Sequence, residues 1–147
     1  MTPDDCQDSA AALRAAYVRA GRMLLVLAAF HLGHSVSVAS IGYTHGNFEA
    51  VDAVIGFSII VVLLAFVIWV AVGVRRGRRI MAGTGVTVFF VMGWIIAMAS
   101  AVAYNAPFPA WLVVFEIVYF CVALLAAATM IRTLFRHETA KPPSSGS

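Results

Sequence analysis

Between Met23 and Ile131 the chain carries four apolar runs, roughly 23–42, 53–74, 80–103 and 108–131. An α-helix needs about 20 apolar residues to cross the roughly 30 Å of hydrocarbon in a bilayer, and each run is near that length. Composition matters here for one reason. Of the 147 residues, 62% are hydrophobic and only 12% charged, with a mean hydropathy of +0.92. A soluble chain carries about 25% charged residues, and a domain this small still exposes much of its surface. Such an apolar excess has nowhere to hide in water. The expected fold is an all-α membrane protein, an up-down bundle of four transmembrane helices.

The connections between the runs set the orientation. Arg14, Arg19 and Arg22 precede the first run, Arg75, Arg76, Arg78 and Arg79 follow the second, and Arg132, Arg136 and Lys141 follow the fourth. These are all ten basic side chains, and an up-down bundle gathers them at one end. Basic residues stay on the cytoplasmic side of a membrane. Both termini are therefore expected in the cytoplasm. The opposite connections hold Glu49 and Asp52 and no basic residue, while Tyr43, Tyr104 and Trp111 fall at that interface. The loop arginines Arg75, Arg76, Arg78 and Arg79 are expected as topology anchors and contacts for anionic lipid headgroups. The basic excess is thereby accounted for without nucleic acid. An arginine-dominated basic set with abundant Ala, Val and Gly points to a bacterial inner membrane.

The flanking segments divide the rest of the chain. Residues 1–8 are acidic and polar, with no positive charge of the kind that opens a signal peptide. From Ser9 the pattern becomes helical, with Asp8 or Ser9 placed to cap it. Residues 1–22 are expected as a cytoplasmic segment with an interfacial helix whose arginines reach toward phosphate. Residues 132–147 are expected as a disordered cytoplasmic tail. Cys6 and Cys121 lie in different contexts and form no CxxC pattern, so no disulfide or zinc site is expected.

Chemistry concentrates at a few ionisable groups inside the apolar runs. An ionisable side chain at bilayer depth is expensive and marks a candidate site. His31, His34 and His45 fall on one face of a continuous helix, His34 and His45 about 20° apart. Glu116 is the intramembrane acid. Counted from the outer ends at about 1.5 Å per residue, His34 and Glu116 both lie about 12 Å deep. First and fourth helices are neighbours in such a bundle, so Glu116 is expected to meet His34 or His31.

Three readings of this cluster follow. It is a buried clasp that fixes helix register, a proton or cation path from Glu116 through the histidines to His45, or a metal or haem site with His31 and His34 as ligands. No ExxH pattern or second intramembrane acid supports a di-iron bundle. Trp94 and the Phe89–Phe90 pair read as packing or lipid contacts, and Ser58, Thr84 and Thr87 as hydroxyls bonded back to their own helices. The expected function is that of a small membrane protein, a non-enzymatic subunit or transporter-like protein with no cofactor. It is expected to assemble with itself or within a larger membrane complex. The alternative is a haem- or metal-binding subunit of an electron-transfer complex.

Overall fold

Four helices follow one another along the chain: α1 (Pro3–Thr44), α2 (Ala50–Arg75), α3 (Ile80–Ala103) and α4 (Ala110–Thr139). The computed structural model describes residues 3–44, 50–103 and 109–139. α1 packs on α2 and α4, and α3 packs on α4 and, more sparingly, on α2. The four helices therefore close into a ring with α4 beside α1. All four are long and apolar enough to cross a membrane.

Two boundaries differ from those expected. α1 begins at Pro3 rather than Ser9 and is unbroken through Gly33. Proline suits a first helical turn, where its missing N–H would have had no partner. The lead-in through Arg22 is thus continuous with the first span. α4 continues to Thr139, so residues 132–139, expected within a disordered tail, are helical. The cause is packing: Thr133 is buried, and the Tyr17 hydroxyl lies 2.5 Å from Nδ1 of His137. The residues after Thr139 lie outside the described ones.

The loop between α2 and α3 is a tight stop. The Arg78 N–H donates to the Gly73 carbonyl at 2.8 Å, and the Gly77 N–H to that of Val74 at 2.8 Å. Gly77 closes this pair of hydrogen bonds with φ of 72°, a left-handed conformation that costs an L side chain about 1–2 kcal/mol. Arg79 is left-handed too, at φ 58°, and its guanidinium lies over the Trp69 ring 3.4 Å from the centroid. Tyr17 packs against Gly77 from α1.

Buried residues recur every three or four positions, the spacing that keeps one helical face inward. On α4 the stripe is Leu112, Glu116, Tyr119, Ala123, Ala126, Ala127, Met130 and Thr133. Leu24, Leu27, Val67, Val70, Val74 and Met130 fill the half of the bundle nearer the arginines. At Gly21, an added Cβ would come within 2.8 Å of the Ala71 carbonyl oxygen, so α1 and α2 touch there through backbone. In the opposite half, large apolar side chains such as Val54, Phe57, Val62 and Ile96 face outward.

Candidate functional site

Where the apolar core ends, six polar or aromatic side chains from three helices converge. Each helix brings its residue inward by the same three-to-four spacing that builds the core. On α1 the stripe Leu24, Leu27, Ala28 continues into His31 and His34; on α4 Glu116 and Tyr119 sit between Leu112 and Ala123; on α3 Phe90 and Trp94 follow Val86.

Glu116 is the hub. It is only 4% exposed. Its Oε1 lies 2.5 Å from Nδ1 of His34 on α1, and its Oε2 accepts a 2.8 Å hydrogen bond from the Trp94 indole N–H on α3. Nδ1 of His34 is buried and has no other polar partner among the described residues. It meets the carboxylate as a close imidazole–carboxylate contact. A buried ion pair lowers its desolvation cost when its partners also hold outside hydrogen bonds, and Trp94 supplies one.

The aromatic groups complete the cluster. The His34 ring stacks on Tyr119 at 5.4 Å and 4°, and His31 Nδ1 shares a 3.2 Å hydrogen bond with the Tyr119 hydroxyl. His31 also tilts against Phe90 at 4.7 Å, and Trp94 stacks on Phe120 at 4.1 Å. The order is therefore Trp94, Glu116, His34, then Tyr119 and His31. Beyond His31, toward the arginines, the interior is Leu24, Leu27, Val70 and Met130, each fully buried.

Of the residues singled out in the sequence, His31, His34 and Glu116 lie together, whereas His45 lies outside the described residues. Trp94 and Tyr119 were missed as site members. Trp94 is not simply packing; its N–H is the second partner of the carboxylate. The one available signal was that a buried indole seeks an acceptor, and Glu116 is the buried acid nearby. Ser58, Thr84 and Thr87 are bonded to carbonyls of their own helices at 2.8, 3.0 and 2.9 Å. Arg75, Arg76, Arg78 and Arg79 stand at the far end of the bundle, well away from this cluster. Among the described residues no three His, Cys, Asp or Glu side chains converge on a point where one metal ion would sit. His31 and His34 project from the same face of one helix, so they do not face each other across a flat ligand.

Chemically, the His34–Glu116 pair holds one proton at lowest cost, whether as imidazolium and carboxylate or as two neutral groups. In both forms the net charge is zero, which is what low-dielectric surroundings favour. Comparison with protein-family models, curated proteins and solved structures returns no match.

Proposed function

We propose that this chain is a small multi-pass protein of a bacterial cytoplasmic membrane, with both termini in the cytoplasm. It acts as a non-enzymatic subunit or transporter-like protein whose polar centre is His34, Glu116 and their neighbours His31 and Trp94. The observation that carries the reading is the carboxylate of Glu116, which takes His34 of α1 on one oxygen and Trp94 of α3 on the other. That arrangement ties three helices at one depth and fixes their register. The fully buried, mainly apolar layer beyond His31 favours the clasp over a continuous proton path. The clustering of arginines at one end supports the orientation.

The test is a double-mutant cycle on unfolding in detergent with His34→Ala, Glu116→Gln and the double variant. Removing one partner of a buried pair is strongly destabilising, by about 3–5 kcal/mol, because the other charge is stranded. The double variant is expected to lose clearly less than the sum of the singles, a coupling of about 1 kcal/mol or more. Strict additivity would refute the clasp. Proteoliposomes with an internal pH dye add the second arm. Proton flux that disappears in Glu116→Gln, from vesicles matched for folded protein, would replace the clasp with a proton path.

A further inference from the structure

At the arginine-bearing end, the seam between α1 and α4 is not filled along its whole length. A groove of about 160 Å³ lies between them, lined by Ala16, Arg19, Thr129, Arg132, Thr133 and Arg136. A second hollow of about 300 Å³ continues the same seam past Ser9, Ala12, Leu13, Arg136 and Thr139. The lining residues recur every three or four positions on each helix, so they form two facing stripes. The α1 stripe is built of small residues, Ser9, Ala12 and Ala16, and their missing volume is the groove. The Tyr17–His137 contact beside it pins the two helices at that separation.

Three guanidinium groups, Arg19 from α1 with Arg132 and Arg136 from α4, border this space, and among the described residues no carboxylate appears in its lining. Among the described residues none of the three forms a salt bridge with Asp or Glu. Like charges gathered on a concave surface raise its potential and draw in a counter-ion. We propose that this groove binds a phosphate group, held by the paired N–H forks of Arg132 and Arg136 with Arg19 opposite. Guanidinium matches phosphate oxygens two at a time, which a lone ammonium does not. The threonines are not the donors. Thr129 and Thr133 already give their hydroxyl protons to the carbonyls of Leu125 and Thr129, each at 2.7 Å.

Depth indicates the source of the phosphate. From Ala110 to Arg132 the chain rises about 33 Å along α4 at about 1.5 Å per residue, close to the thickness of the hydrocarbon layer. Arg132 therefore stands at headgroup level. One turn before Thr129 the same stripe carries Leu125, 60% exposed, a surface for an acyl chain. An anionic phospholipid satisfies both ends; free phosphate satisfies only the basic end.

Native mass spectrometry of the full chain in detergent distinguishes them, with phosphatidylglycerol and phosphatidylcholine of matched acyl chains as probes. Phosphatidylglycerol is expected to be retained as a discrete adduct at least tenfold more tightly than phosphatidylcholine. Arg132→Gln/Arg136→Gln is expected to abolish that preference. Arg76→Gln/Arg78→Gln removes the same charge from the α2–α3 loop and reports the non-specific part, expected to be under threefold. Should the α4 double variant fail to fold, judged by elution profile and unfolding temperature, Arg19→Gln on the facing helix must weaken binding in its place. Displacement of the adduct by millimolar inorganic phosphate would keep the phosphate site and assign it to the free anion. Equal retention of both lipids with no effect of phosphate, or equal losses from groove and loop variants, would overturn the proposal.

Discussion

A carboxylate buried among hydrocarbon side chains is kept by its polar neighbours, and Glu116 has two: the His34 imidazole in close contact and the Trp94 indole as hydrogen-bond donor. Trp94 is the one whose removal is cleanest to read. Trp94→Phe preserves the stack on Phe120 but strands Oε2 of a side chain that is 4% exposed. Leaving a buried acceptor without its donor costs about 1–3 kcal/mol. Trp111→Phe, at an exposed position, is expected to stay within about 0.5 kcal/mol of the parent. Denaturation midpoints of the two variants check this; equal midpoints would mean the indole bond contributes nothing. The meeting of His34 with Glu116 was legible in the sequence, because depth in a helix bundle is a matter of counting residues. Trp94 was not. α3 is apolar on every side, so its pattern does not reveal which face turns inward, and an indole in such a helix reads as one more greasy surface.

The helices themselves were legible for the same reason that their faces were not: long apolar runs announce a span but carry little asymmetry. α3 ends where its composition changes, at Ile80 and Ala103. α1 and α4 overrun theirs, because Arg14, Arg132 and Arg136 look like ends in a hydropathy reading. Tertiary contacts instead carry those helices onward, through Tyr17 on His137 and Thr133 into the core. Close backbone approach is a further property that pattern alone hides. Gly33, Ala97 and Ala123 each open a small-residue spacing, yet the backbone contact between α1 and α2 is at Gly21. Gly21→Leu is expected to push α1 away from Ala71 and lower stability by about 1–3 kcal/mol, the usual range for overpacking. Ala29→Leu, on an exposed position of the same helix, is the matched control and is expected to change little. Thermal unfolding in detergent measures both, and a Gly21→Leu variant as stable as the control would deny the close contact.

At the scale of the whole molecule, one end is dense, basic and stapled by a tight loop, and the other presents apolar side chains on most sides. The proposed orientation places the dense end in the cytoplasm. Single cysteines in a background lacking Cys6 and Cys121 test it in intact cells. A membrane-impermeant maleimide is expected to label Asn47→Cys from outside and to reach Thr139→Cys only after the membrane is opened; the reverse order would invert the topology. The three tryptophans are spread along this same axis. Trp69 lies under Arg79 near the basic end, Trp94 sits against Glu116 in mid-bundle, and Trp111 stands exposed at the start of α4. The protein thus carries its own optical gauge. Light emitted from mid-bundle responds to the charge on the carboxylate beside it, while the two emitters nearer the membrane faces act as internal references, and no foreign dye is needed to watch the clasp open.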